Sequence, residues 1–264
     1  MPHMQFEELW RDLANLDEVE ALALGGSRAS DSHDERSDYD LYVYCNPMPQ
    51  VSARRQLLTQ HCQYMEIDNR FWEPEDDCTM RDGIDIDIVY RNLDAFAEGI
   101  RAVVDLHHPS NGYTTCNWHN LIRCRVLYDQ DGRLRQLQKR YTVPYPHELR
   151  RNIIDRNLRL LTGNLPSYDR QIQKAIKRDD QVSVGHRTAA FMESYFDIVF
   201  AMNGLTHPGE KRMLATALKE AKVLPRDFKR NIQQLYSDLH TKPEAAMDDI
   251  RLLVDELKSC LSRA

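Results

Sequence analysis

ALALGGSRASDSHDERSDYDLYVYC, residues 21–45, is the stretch whose reading decides the fold. Apolar runs of strand length stand at both ends, and between them lie a glycine pair, a charged loop and the pattern Asp38-Tyr39-Asp40. Residues two apart on a strand project to one side, so the two carboxylates stand within about 7 Å of each other at ~3.3 Å rise per residue. Like charges that close resist joint ionisation unless something positive lies between them. Upstream, Gly25 and Gly26 permit close approach to the backbone, so the following N–H groups and the Ser27 hydroxyl can grip a phosphate, with Arg28 adding a charged contact. A Gly-Gly-Ser turn or an Asp-x-Asp edge strand is common alone; their order and spacing here are far more specific.

Working outward, FEELWRDLANL has helical apolar spacing, Val19 to Leu24 reads as a strand, Gly25 to Ser37 as a loop and Asp38 to Tyr44 as a second strand. After the turn-forming CNPMP, SARRQLLTQHCQ reads as a helix and QYMEIDNRFW as a strand. The acidic EPEDD and the pair Asp82-Gly83 read as turn, IDIDIVY as strand, and NLDAFAEGIRAVVDLHH as helix. Asp85 and Asp87 share one face of IDIDIVY, so either could join Asp38 and Asp40 if the strands lie side by side. Three such acids suit a divalent cation such as Mg²⁺, whose hard oxygen preference matches carboxylates and phosphate together.

Beyond PSNGY come the helix-compatible CNWHNLIRC and a DQDG turn at 129–132, and then a nearly continuous helical half. Helices are expected near 146–162, 169–179, 182–203, 209–221, 225–239 and 243–261, with Ile153, Ile154, Leu158 and Leu161 at core spacing. The fold class is therefore α+β: a small mixed-sheet domain over residues 1–140 followed by an all-α bundle over 141–264.

Composition narrows the function. The chain has 264 residues, of which 42% are hydrophobic and 29% charged, which suits a globular protein with a sizeable core. No apolar run approaches the ~20 residues that cross a bilayer, and MPHMQFEELW lacks the features of a secretion signal, so a cytoplasmic, non-membrane protein is expected. Six scattered cysteines without a Cys-x-x-Cys pair read as reduced thiols, with neither a disulfide frame nor a zinc site. Residues 1–139 hold 14 Lys/Arg against 25 Asp/Glu, whereas residues 140–264 hold 21 against 16. An acidic front argues against duplex nucleic acid as the main partner.

The combination GGS at 25–27, DYDL at 38–41 and IDI at 86–88 resembles the nucleotidyltransferase superfamily that includes DNA polymerase beta, and within it the bacterial aminoglycoside type with a helical C-terminal domain. The motifs cover residues 20–92, and the stretch HPGEKRML, 207–214, is similar to related bacterial members. The resemblance implies that Asp38 and Asp40 ligate metal, that Gly25, Gly26 and Ser27 hold nucleotide phosphates, and that Asp87, ahead of Asp85, is the third acid, either a ligand or a base. It further implies Mg²⁺ or Mn²⁺ as cofactor, ATP or another nucleoside triphosphate as co-substrate, and transfer of a nucleoside monophosphate to a hydroxyl of a small-molecule acceptor. Lys211 is the basic group expected to meet the triphosphate, with Arg150, Arg151 and Arg156 as alternatives. Glu73, Glu75, Asp76 and Asp77 suit a cationic acceptor or form a solvated turn. The rival readings are a nucleotidyltransferase that modifies a protein partner and a non-catalytic nucleotide-binding module.

Overall fold

The structure, a computed structural model, describes residues 2–29 and 37–263, so positions 30–36 of the expected loop lie outside the described residues. The chain divides into two compact units, Met1–Arg101 with Asn120–Val143, and Ala102–His119 with Pro144–Ala264. In chain order the first stretch holds α1 (Pro2–Ala14), β1 (Val19–Leu24), a 3-10 turn (Ser27–Ala29), β2 (Tyr39–Cys45), α2 (Val51–His61), β3 (Cys62–Asn69), β4 (Glu75–Met80), β5 (Asp85–Arg91) and α3 (Leu93–Val104). After α4 (Cys116–Arg123) come β6 (Arg125–Asp129) and α5 (Arg133–Tyr141). The six strands form one mixed sheet in the order β3-β4-β5-β2-β1-β6, with β2 and β5 parallel and every other neighbouring pair antiparallel.

Period-two alternation sorts the side chains of this sheet onto two unlike faces. Tyr39, Leu41 and Val43 of β2 and Ile86, Ile88 and Tyr90 of β5 are buried in a core with Phe6, Leu9 and Leu13 of α1 and Leu57 and Leu58 of α2. Each large apolar side chain so buried contributes roughly 1.5–3 kcal/mol, which is what holds the amphipathic helices on that face. Phe6 stacks on Tyr39 with ring centroids 4.1 Å apart. The intervening residues, Asp40, Tyr42 and Tyr44 on β2 and Asp85, Asp87, Val89 and Arg91 on β5, therefore project from the opposite face.

Of the acidic stretch expected as a turn, Glu73 and Pro74 lie in a bend, whereas Glu75, Asp76 and Asp77 open a strand, because one of these acids is neutralised inside the core. Asp76 on β4 is 0% exposed and forms an ion pair with Arg54 of α2, itself 1% exposed. Asp76 also accepts from the Asp68 amide at 2.8 Å and from the Tyr90 hydroxyl at 2.9 Å. Arg54 completes its fork on Asp68 at 3.1 Å and on the Pro49 carbonyl at 3.1 Å. With its charge balanced and its lone pairs occupied, Asp76 can sit among apolar neighbours, and Glu75, Asp77 and Thr79 alternate to the other face. The Asp82-Gly83 turn is present, with Gly83 at φ +84° and its amide bonded to the Met80 carbonyl.

The second unit is helical: α6 (His147–Leu161), α7 (Tyr168–Ile176), α8 (Gln181–Met202), α9 (Met213–Glu220), α10 (Phe228–Thr241) and α11 (Pro243–Leu261). Every residue from Ser194 to Met202 is buried, so α8 runs through the middle, with α6, α7 and α9 packed on it and α11 on α7 and α10. A helix apolar on all sides is stable only when surrounded in this way. Titratable groups nevertheless lie inside, Asp197 and His207 among them. Asp197 of α8 accepts from the Thr114 amide at 3.2 Å, the Thr114 hydroxyl at 2.6 Å and the Asn157 side chain at 3.1 Å. His207 lies edge-on to Tyr113 and Phe200, and its amide donates to the Thr115 hydroxyl at 2.7 Å. No helix among the described residues is long and apolar enough to cross a membrane, and all six cysteines are free thiols.

Two predictions follow from these buried charges. Arg54→Ala strands the Asp76 carboxylate and should cost about 3–5 kcal/mol, read from urea unfolding, whereas Arg11→Ala at the exposed pair with Glu7 should change stability by less than about 0.5 kcal/mol. The second concerns pH. Burial pushes the Asp197 carboxyl up to about 6, so its contribution is full below the ordinary value of 3.8 and is lost as pH rises through about 6. Burial pushes the His207 imidazole down to about 3, so its contribution is present above 6.5 and is lost as pH falls toward about 3. The two slopes oppose each other between pH 4 and 6. Relative to the native chain, Asp197→Asn should therefore tilt the stability profile upward with pH across that window, and His207→Gln should tilt it downward.

Candidate active site

The antiparallel register of β1 and β2 pairs Leu24 with Leu41, so the chain leaving β1 returns over the start of β2. The Gly25 amide accordingly donates to the Asp40 carbonyl at 2.8 Å. Gly26 has φ +59°, and a β-carbon built on it would lie 1.7 Å from Oδ2 of Asp40. Only glycine fits, on grounds both of backbone conformation and of space. The chain then tightens through the turn Ser27–Ala29, whose last amide lies 3.2 Å from the Gly25 carbonyl. A compact loop is thus pressed against an aspartate carboxylate.

Across the sheet, parallel pairing sets Asp40 directly opposite Asp87, at the ~4.8 Å spacing of neighbouring strands. Asp38 stands one residue before β2 and is half-buried. Asp85 lies two residues before Asp87 on the same strand face, exposed, and accepts from the Thr79 hydroxyl at 2.7 Å. On the far side of Asp87 the β4 register brings Asp77 alongside, its carboxylate accepting from Asn69 at 2.8 Å. The Glu75 carboxyl is pushed up by burial and by the charges of Asp77, Asp87 and Glu73. The geometry thus collects Gly26, Asp40 and Asp87, and brings Asp77, one of the acids expected to face an acceptor, alongside Asp87, a pairing that the reading of the stretch as a turn did not foresee.

Arg28 takes a different position from the phosphate contact its sequence suggests. It is 8% exposed, its Nε donates to the Ser37 carbonyl at 2.6 Å, and its guanidinium lies 4.0 Å from the Tyr39 ring, on the core side of β2. It ties the two ends of the loop together. Lys211 lies exposed in the second unit, just before α9. Of the four acids expected to face an acceptor, Glu73 pairs with Arg91 and Asp76 with Arg54, which leaves Glu75 and Asp77 on the face that carries Asp87.

Among the described residues no group of three or more His, Cys, Asp or Glu side chains is arranged to hold a metal ion. The donor chemistry still fits Mg²⁺, which is commonly held by one or two carboxylates together with substrate phosphates rather than by a cage of protein ligands. Asp40 and Asp87 are such a pair, beside a glycine loop whose space a β-carbon would fill.

Residues 6–92 match the family described as nucleotidyltransferase domain, and residues 113–213 match a domain of unknown function, DUF4037. No curated protein matches the chain. Among solved structures, the chain is similar to a nucleotidyltransferase-like protein from Exiguobacterium sibiricum 255-15, with 10% identity, 98% of this chain and 75% of that one covered, and a TM-score of 0.44. It is also similar to an aminoglycoside 6-adenyltransferase from Bacillus subtilis, with 11% identity, coverage of 98% and 90%, and a TM-score of 0.32. A third likeness is to the Thermotoga maritima CCA-adding enzyme, with 9% identity, coverage of 98% and 80%, and a TM-score of 0.33. The strand-loop-strand unit that seats Gly26 on Asp40 and sets Asp40 beside Asp87 falls wholly within the matched segment, and residues 6–92 are a nucleotidyltransferase domain.

Proposed function

We propose that the chain transfers a nucleoside monophosphate, AMP from ATP, to a hydroxyl of a small-molecule acceptor of the aminoglycoside-like, cationic kind. The observation that carries this reading is the seat of Gly26 against the Asp40 carboxylate, with Asp87 in register beside it. A triphosphate gripped by the backbone N–H groups after Gly26 and by the Ser27 hydroxyl would have its phosphates at the edge of the acid pair. Asp38, Asp40 and Asp87 would hold Mg²⁺ or Mn²⁺ there, and the bound cation would neutralise charge on the triphosphate and the pyrophosphate leaving group.

The chain's own part is to orient and to move a proton. Asp87, facing the loop across β2, would accept the proton of the attacking acceptor hydroxyl if that hydroxyl comes within about 3 Å. The new bond forms between that oxygen and the α-phosphorus, and the bond to pyrophosphate breaks. Glu75 and Asp77 extend negative charge away from the pair, which suits a positively charged acceptor.

Calorimetry with a non-hydrolysable ATP analogue tests this first. Binding should require Mg²⁺ or Mn²⁺, and Asp40→Asn or Asp87→Asn should weaken it or abolish turnover by about 10²–10³-fold, while Asp85→Asn stays within a few-fold of native. A native chain that binds no nucleoside triphosphate in the presence of either metal would overturn the reading. Gly26→Ala should be as damaging as loss of Asp40, because it adds both a clash with Asp40 and a left-handed backbone cost of about 1–2 kcal/mol; thermal melting alongside calorimetry separates lost binding from lost folding.

A further inference from the structure

We propose that Tyr42, held in place by Arg91, is a positioning residue for the glycine loop. Tyr42 lies two residues after Asp40 on the same face of β2, and Gly25 rests on its ring. A β-carbon on Gly25 would stand 2.4 Å from Cε2 and 3.2 Å from Cζ of Tyr42, so the ring closes off the space beneath that residue. The phenol oxygen accepts from the Asn120 side chain at 3.4 Å, and the Arg91 guanidinium lies 4.2 Å from the ring centroid.

Arg91 is itself fixed. Its Nε and Nη2 donate to the two oxygens of Glu73 at 2.7 and 2.6 Å, a forked pair, and its side chain is only 10% exposed. The Phe96 ring lies 5.4 Å away on its other contact. Such a guanidinium is a planar cation held edge-on by a carboxylate and face-on by aromatic rings, an arrangement that lysine cannot reproduce. Arg91 is also four residues beyond Asp87 on β5, about 13 Å along the strand at ~3.3 Å per residue, so it is placed to act through Tyr42 rather than on a reacting phosphate.

Glu73, Arg91, Tyr42 and Gly25 thus form a continuous strut, and the next residue of the loop is Gly26, seated on Asp40. The two glycines rest on successive same-face residues of one strand, Gly26 on Asp40 and Gly25 on Tyr42. Removing the lower support frees the loop to leave the carboxylate while Asp40 and Asp87 keep their register. The consequence for nucleotide affinity rests on the function proposed above; the geometric consequence does not.

Amide hydrogen exchange and calorimetry on the full-length chain separate the two. Arg91→Lys and Tyr42→Leu should speed exchange in peptides covering residues 22–29 while leaving peptides from α11 unchanged, and Tyr42→Phe, which keeps the ring, should restore native exchange. Magnesium-dependent affinity for the non-hydrolysable ATP analogue should fall about tenfold in Arg91→Lys and Tyr42→Leu. Gly25→Ala should lower affinity in the native background and add little once Tyr42 is leucine, because the clash is then gone. Unchanged exchange over 22–29 in both Arg91→Lys and Tyr42→Leu overturns the strut, and unchanged affinity in variants whose melting temperature has dropped overturns the positioning role, leaving the pair merely structural. If the native chain binds no triphosphate, the nucleotide reading fails, and the exchange data still decide whether the strut holds the loop.

Discussion

The parallel pairing of β2 with β5 is the constraint on which the rest of the first unit depends. It fixes Asp40 opposite Asp87 at the spacing of neighbouring strands, and a slip of β2 by one residue would send Asp40 into the core and Leu41 to the face that carries Asp87. The apolar residues between the acids therefore do more than fill space. Burial of Tyr39, Leu41, Ile86 and Ile88 against α1 and α2 holds the register, and the register holds like charges together at a cost that a bound cation and phosphate can offset. Glu75 already shows the effect of this crowding, since its carboxyl is raised by burial and by the charges of Asp77 and Asp87.

The strand-loop-strand arrangement of the candidate site was legible in the sequence because its parts are local. Gly-Gly-Ser at the end of one strand, Asp-x-Asp at the start of the next and an apolar-Asp-apolar strand later are patterns of residue type and period, and the period of two states which side chains share a face. What escaped is non-local. Glu75, Asp76 and Asp77 have the composition of a turn, and nothing within the stretch says that Asp76 meets Arg54, 22 residues earlier, in the core. Once Asp76 is neutralised, alternation alone places Glu75 and Asp77 beside Asp87. The short strand β6 and the polar helix α5 escaped for a similar reason, because β6 is defined by pairing with β1 and the sequence RLRQLQKRY buries only Leu134 and Tyr141.

The helical half shows the same division. Its six helices follow from apolar residues at three and four spacing, and α8 in particular from a run too apolar to face water on any side. The segment Ala102–His119 belongs to that unit although it lies before residue 140, and it is tied there by bonds between residues far apart in sequence, among them Thr114 to Asp197, Asn152 to the His107 carbonyl and the His207 amide to Thr115. Hydrophobic periodicity cannot report a contact between a threonine in a loop and an aspartate on a buried helix. The burial of His207 was equally hidden, since its neighbours are polar and turn-forming, whereas Asp197 stands in the apolar run that buries α8.

The order of the motif follows from the hairpin geometry. Because β1 and β2 run antiparallel with Leu24 opposite Leu41, the two residues after β1 must pass over the residues that open β2. One of these residues is Asp40, and two further along the same face is Tyr42, so both positions after the strand meet a side chain already in place. A single glycine would relieve one contact and leave the other. Two consecutive glycines relieve both, and the loop can then press against the carboxylate instead of arching over it. The glycine pair and the aspartates are therefore one structural unit, tied by the strand reversal between them, and a change in either is a change in the seat of the other.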